Sequence, residues 1–205
     1  MTTPEQTVFV VEDDAAVRDS LSLLLGLQGF RTQSFSCAED FLRIYQPVWA
    51  GCLLLDVKMP GMSGLELQAA LRRQSPALPV IIMTAHGDIA TVRTALKSGA
   101  VDFLEKPVDP DALLTAVRTA LDADASRRHA ALEAEGAHRR LSVLTARERQ
   151  VMELIAKGCP NREIAGTLGI SPRTVEVHKA RVMEKLQVQS VPELVRIVLR
   201  APPGA

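Results

Sequence analysis

No apolar stretch in this 205-residue chain reaches the roughly 18 residues needed to cross a bilayer, so a membrane span is not supported. Cysteine is scarce. Cys37, Cys52 and Cys159 are odd in number, widely spaced and form no CxxC pair. Neither a disulfide framework nor a zinc site is indicated, and a reducing cytoplasm is the simplest setting. The opening residues, Met1 to Gln6, are polar and lack the basic-then-apolar order of a signal peptide. Net charge is missing too, since 24 Lys+Arg balance 24 Asp+Glu. The balance conceals an asymmetry. Residues 1–125 carry 10 basic and 16 acidic side chains, whereas residues 126–205 carry 14 and 8. An acidic first part and a basic second part imply different partners, with a polyanion favoured for the second.

What is present is an ordinary globular composition, 47% apolar and 23% charged, with room for one or two domains. The first 120 residues alternate strand and helix signals. Strands are predicted at 7–12, 31–35, 51–56, 79–84 and 101–105. Helices are predicted at 15–27, 37–45, 64–73, 88–98 and 110–124. Strands separated by helical patterns argue for βαβ units and a parallel sheet. Five units fit a flavodoxin-like, doubly wound five-stranded sheet. Residues 123–141, rich in Ala, Arg and Glu, read as an exposed helical linker that Gly136 weakens. From residue 142 to 205 the signals are all helical. Thr145-Ala-Arg-Glu148 and Ser190-Val-Pro-Glu193 are two capping boxes, Asn161 is a cap, and Ser171-Pro172 opens a helix running to about Gln187. A tight Gly169-Ile170-Ser171 turn makes four short helices a helix-turn-helix unit.

Three predicted strands end on charge. Val8-Phe9-Val10-Val11 stops at Glu12-Asp13-Asp14, Leu53-Leu54-Leu55 at Asp56, and the run to Glu105 at Lys106-Pro107. In doubly wound sheets the ligand crevice lies at such C-terminal ends. Like charges about 4 Å apart repel by about 4 kcal/mol at an effective dielectric near 20, so the cluster must hold a proton or a cation. Carboxylates beside a divalent cation can hold it, or one of them can attack a phosphoryl group. Glu12 and Asp13 suit the first role and Asp56 the second. Lys106 can reach a phosphoryl oxygen, and Thr84 brings a hydroxyl to the same edge. The plainer alternative pairs Lys106 with Glu105 or Asp102.

In the helix opened by Pro172, Val175, Val182 and Leu186 share one face and predict packing against the preceding helix. Arg173, Glu176, Val177, Lys179 and Ala180 lie away from it. A basic, capped helix after a tight turn is a recognition element for double-stranded DNA. Arg173, Thr174, Lys179 and Lys185 can meet phosphates, Glu176 a cytosine amino group, and Val177 a thymine methyl. Val177 equally suits a core edge.

Val11-Glu12-Asp13-Asp14, the run from Asp56 to Gly64, Thr84-Ala85, Gly99-Ala100 and Lys106-Pro107 together resemble a response-regulator receiver domain, over residues 1–122. The resemblance implies phosphorylation of Asp56 by a sensor histidine kinase. It also implies Mg²⁺ (or Mn²⁺) held by Asp13, Asp56 and the backbone carbonyl of Lys58, with Glu12 acting through water, and a cis peptide between Lys106 and Pro107. It implies a switch in which Thr84 turns toward the phosphoryl group and Phe103 moves inward, although Phe103 alone suits an ordinary core. A homodimer would form through helix 88–98, strand 101–105 and helix 110–124. Glu12 departs mildly from the pattern, in which Asp is common, and lengthens the reach to the metal. Lys58 and His86 flank the pocket at variable positions. The stretches 144–148, 161–165, 168–171, 173–178 and 185–186 resemble the LuxR-type DNA-binding domain. Together the two halves are similar to the NarL/FixJ group of response regulators, most of all its FixJ and StyR branch. That group implies a cytoplasmic transcription regulator, with RNA polymerase among its partners and no membrane association.

Two other classes fit the chain less well. A haloacid-dehalogenase-type phosphatase needs an acid two residues past its nucleophile, where this chain has Lys58, and a cap domain that is missing. A constitutive DNA-binding protein with a silent receiver sits poorly with the full set of Glu12, Asp13, Asp56, Thr84 and Lys106. The chain is therefore not expected to be a stand-alone enzyme.

Overall fold

A computed structural model describes residues 5–74, 78–85 and 97–200. The backbone divides into two compact units, Met1–Arg127 and Arg128–Ala205.

In the first unit the elements run β1 (Thr7–Val11), α1 (Ala15–Leu27), β2 (Arg31–Phe35), α2 (Ala38–Ile44), β3 (Gly51–Asp56), α3 (Gly64–Arg73), β4 (Val80–Thr84), β5 (Asp102–Glu105) and the start of α4 (Pro110–Leu141). All strands pair in parallel, in the order β2-β1-β3-β4-β5. Side chains alternate across a strand, so each apolar run feeds both faces of the sheet. Phe9, Val11, Leu53, Leu55, Val80 and Ile82 meet Phe41, Leu67 and Leu71 of α2 and α3. Val8, Val10, Leu54, Ile81, Met83 and Leu104 meet Leu21, Leu25, Leu113 and Val117 of α1 and α4. Each fully buried Leu, Ile or Phe contributes about 1.5–3 kcal/mol relative to exposure, so covering both faces is what holds the strand ends in register. Five aromatic rings, Phe9, Phe35, Phe41, Tyr45 and Trp49, gather on the α2–α3 side.

Two sequence expectations shift in this unit. The helix predicted to stop near 124 continues without a break to Leu141, through Gly136, and so includes the linker segment. Asp124, read as part of an exposed connector, is fully buried and accepts the Gly51 amide at 2.9 Å while pairing with Arg127. A buried carboxylate needs such donors, and the strand-bottom amide of Gly51 supplies one. The predicted helix 88–98 lies almost wholly outside the described residues.

The second unit contains α5 (Ala146–Ala156), α6 (Asn161–Leu168), α7 (Pro172–Lys185) and α8 (Val191–Arg200). Its core joins Ala137, Leu141, Val151, Met152, Ile155, Ile164, Val175, Val182, Leu194 and Ile197. The Thr145–Glu148 capping box is formed in both directions. Asn161 is not a cap. Pro160 holds the capping position with extended backbone, leaving Asn161 as the first helical residue. Glu193 accepts the amide of Gln189 at 2.9 Å rather than that of Ser190, although α8 begins at Val191. Helix α7 ends at Lys185, and Gln187 turns to φ 53°. Gly169, left-handed at φ 66°, closes α6 and begins the turn into α7.

Candidate functional site

The parallel register assembles the acidic pocket. Val11 of β1 pairs with Leu55 of β3, so the next residues, Glu12 and Asp56, come side by side. Asp56 pairs with Met83 of β4, which puts Thr84 one residue beyond it. Thr84 pairs with Glu105, and its carbonyl accepts the Lys106 amide at 2.8 Å. The Lys106 ammonium then lies 2.6 Å from Glu12 Oε2 and 3.0 Å from Asp56 Oδ2. Its peptide with Pro107 is cis. Lys106 thus pairs with neither Glu105 nor Asp102, whose carboxylate instead accepts the Phe103 amide.

Glu12, Asp13 and Asp56 each offer one oxygen, all within 4.8 Å of one another. Glu12 is 0% and Asp56 5% exposed, while Asp13 faces solvent. Three carboxylates against one ammonium leave the pocket negative. Burial pushes the Glu12 carboxyl above its ordinary range, and Asp56 adds to this; Lys106 and the Asp14 amide only partly offset them. Burial pulls Lys106 down, but its bonds to Glu12 and Asp56 outweigh that and leave it raised. Octahedral Mg²⁺ holds oxygens at about 2.0–2.1 Å, so neighbouring ligand oxygens stand about 3 Å apart and opposite ones about 4 Å. Three carboxylate oxygens gathered within 4.8 Å are the hard donors that such an ion takes.

Asp14 takes no part in this cluster. Its carboxylate caps α1, accepting from the amides of Ala16 and Val17 at 2.8 and 3.2 Å. Thr84 is buried at the end of β4, Lys58 is exposed in the loop after β3, and Phe103 is 38% exposed on β5. His86 lies outside the described residues. One contributor was missed by the sequence reading. Arg18 donates to the carbonyl of Glu12 at 2.9 Å and of Asp13 at 3.3 Å, fixing the acidic loop from α1. The available signal was an arginine one helical turn beyond the acidic run.

In the second unit, Arg173, Glu176, Val177 and Ala180 line one open patch on α7. Thr174 shares its hydroxyl with Ser171 at 2.8 Å, and its amide binds the same Ser171 oxygen at the helix start. Lys179 is half-buried. At about 100° per residue it falls beside Val175 and Val182 rather than at the centre of the outward face. Arg181, on the other flank, is exposed. Lys185 is exposed, and its ammonium binds Glu148 at 2.7 Å and reaches the Val143 carbonyl at 3.5 Å. Glu148 is 3% exposed and also accepts the amide and hydroxyl of Thr145, both at 2.9 Å. The Lys185 and Thr145 donors hold its carboxyl down at about 2.

Comparison with known proteins covers both units. Residues 8–118 match the response regulator receiver domain family, and residues 142–198 match the luxR family of bacterial regulatory proteins. The chain is similar to the transcriptional regulatory protein FixJ of Azorhizobium caulinodans, 46% identical over 95% of this chain and 92% of that one. It is 38% identical to the response regulator protein TmoT of Ectopseudomonas mendocina, over 98% and 91% of the two chains. Among solved structures, the response regulator StyR superposes with a TM-score of 0.81 at 45% identity, over 96% and 99% of the chains. Full-length FixJ from B. japonicum superposes with a TM-score of 0.60 at 41% identity, over 97% and 98%.

Proposed function

Because the chain belongs to the two-component response regulators that join a receiver domain to a LuxR-type DNA-binding domain, we propose that Asp56 is its phosphoacceptor and that the charge gained there controls DNA binding. The chain is a transcriptional regulator, and its family implies a sensor kinase and DNA as partners. The observation that carries the proposal is the Lys106 ammonium shared between Glu12 and Asp56, with Asp13 completing an acidic triad. A silent receiver has no use for that arrangement.

In this reading an Asp56 carboxylate oxygen forms a bond to phosphorus. The bond from phosphorus to the donor histidine nitrogen breaks, and that nitrogen keeps the electron pair. Asp13, Asp56 and the Lys58 carbonyl, with Glu12 acting through water, would hold Mg²⁺ or Mn²⁺, which would supply neutralisation of the phosphoryl oxygens. Lys106 leaves its two carboxylates to meet one of those oxygens as a point charge. Thr84 then donates its hydroxyl to another, and Phe103, now exposed, moves inward behind it. An added charge biasing a two-state element is the general form of such switches. The receiver is taken as residues 1–122, the linker as 123–141 and the DNA-binding domain as 142–205. Phosphorylation would promote a homodimer through helix 88–98, β5 and the first turns of α4, and the dimer would engage promoter DNA and RNA polymerase in the cytoplasm. Among the described residues no helix is long and apolar enough to cross a membrane. At the DNA, Arg173, Thr174 and Lys179 would meet phosphates, while Glu176, Val177 and Ala180 face base edges.

Beryllofluoride with Mg²⁺ tests the proposal directly. It is expected to increase dimerisation and promoter binding of the unaltered chain and to do neither for Asp56→Asn, read by analytical ultracentrifugation and fluorescence anisotropy. Equal responses from the two proteins would overturn it.

A further inference from the structure

The loop between β3 and α3, residues 57–63, carries the Lys58 carbonyl that the reading above gives to the metal, and the present inference rests on that reading. Its base is closed by the Gly64 amide donating to the Val57 carbonyl at 3.0 Å. Gly64 also packs against the Asp56 backbone so closely that an added Cβ would come within 2.1 Å of the Asp56 carbonyl oxygen. Its far end is closed by the Ser63–Glu66 capping box. Between those two closures the crest, Gly61–Met62, is tied to a different element. Glu39, in the first turn of α2, accepts the Met62 amide at 2.8 Å. The same carboxylate lies under Gly61, where a Cβ would sit 2.7 Å from Glu39 Oε1. Gly61 is at φ 75°, a region that L side chains rarely occupy, so the crest is shaped to rest on this carboxylate.

We propose that Glu39 is a positioning residue for the divalent-cation site, holding the crest of the β3–α3 loop so that the Lys58 carbonyl is presented toward Asp56. Glu39 belongs to none of the groups that surround the cation and acts through backbone alone. The backbone of Glu39's own turn, and then the Met62 amide, also keep its carboxyl below the usual range, so it accepts as an anion at neutral pH. A charge-assisted acceptor on a backbone amide is stronger than a neutral one. Partners that orient a metal's own ligands typically influence affinity by a measurable factor.

Direct Mn²⁺ binding to the full chain, followed by electron paramagnetic resonance of the free ion, tests the proposal alongside initial phosphorylation rates with acetyl phosphate. Glu39→Ala is expected to weaken Mn²⁺ binding about three- to tenfold, the size of one lost hydrogen bond in the loop. Glu39→Gln, which keeps an acceptor, should fall between the unaltered chain and Glu39→Ala. The phosphorylation rate at saturating Mg²⁺ should be unchanged, because Asp56 and Lys106 are intact. A thermal melt of each variant separates loss of fold from loss of positioning. Unchanged Mn²⁺ affinity in well-folded Glu39→Ala would overturn the proposal. An unaltered chain that takes no label at Asp56 would instead overturn the functional reading itself, and the two failures are distinguishable.

Discussion

Two buried glutamates, one in each unit, face a lysine at nearly the same distance and are driven in opposite directions. Glu12 lies 2.6 Å from Lys106 and Glu148 lies 2.7 Å from Lys185. Glu12 is raised, whereas Glu148 is held at about 2. The difference lies in what surrounds each pair. Glu148 has its lysine to itself and two further donors from Thr145. Glu12 shares its lysine with Asp56, stands near Asp13, and gains only a 3.3 Å contact from the Asp14 amide. One pair is fully satisfied and therefore structural. The other has more negative charge than donors, which makes it a place where a cation is taken up or charge rearranged. The presence of a buried ion pair says little about function; the ratio of donors to carboxylates around it says more.

The largest expected effect comes from breaking the satisfied pair. Glu148→Ala removes the Glu148 half of the capping box and the partner of Lys185. The second unit should lose about 1–2 kcal/mol of stability, measured by urea unfolding of the full chain. A loss below about 0.5 kcal/mol would mean that the pair is ornamental.

Proton linkage sharpens the contrast, because the two glutamates predict opposite slopes. The Glu148 carboxyl is depressed, so its contribution is present above the ordinary carboxylate range and is lost as pH falls toward about 2. The Glu12 carboxyl is raised, so its contribution is full below the ordinary value of 4.5 and is lost as pH rises through its higher folded value. Separate monitoring of the two units, by amide exchange across acidic pH, should show the second weakening on acidification while Glu12 favours the first. Mg²⁺ should flatten the Glu12 effect, since it neutralises the same carboxylates. Parallel curves for the two units, with and without Mg²⁺, would contradict the distinction.

The smallest effect separates two lysines of α7. Lys179→Ala should weaken DNA binding across sequences and lower the salt slope by about one. Lys185→Ala should lower stability with little change in that slope, because its charge is already spent on Glu148. A salt slope that drops for Lys185→Ala and not for Lys179→Ala would reverse their roles.

Much of this was legible in the chain. Apolar runs ending in Glu12, Asp56 and Thr84 announced parallel strands with polar C-terminal ends, and helical patterns between them announced the helices. The capping box at Thr145 and Glu148 formed as read, since it depends only on residues three apart. Local signals misled where a neighbour in space or a backbone detail intervened. Asp124 looked like part of a solvated connector, and nothing near it in sequence reveals the Gly51 amide, 73 residues away, that it accepts. Nothing within its own helix reveals that Lys185 pairs with Glu148, 37 residues away. Asn161 lost its capping place to Pro160, whose extended backbone starts the helix one residue earlier than side-chain preference suggests.

By itself, then, the sequence determined the order of elements, the doubly wound sheet, the four C-terminal helices and the list of groups able to carry chemistry. These rest on periodicity and on contacts between residues close along the chain. Only the tertiary structure decided which charges share a partner: Lys106 with both Glu12 and Asp56, Lys185 with Glu148 alone, Glu39 with the crest of the β3–α3 loop. Those pairings join residues brought together by strand register and helix packing. No one-dimensional pattern encodes the count of donors around a buried carboxylate, and that count separates the candidate site from the scaffold.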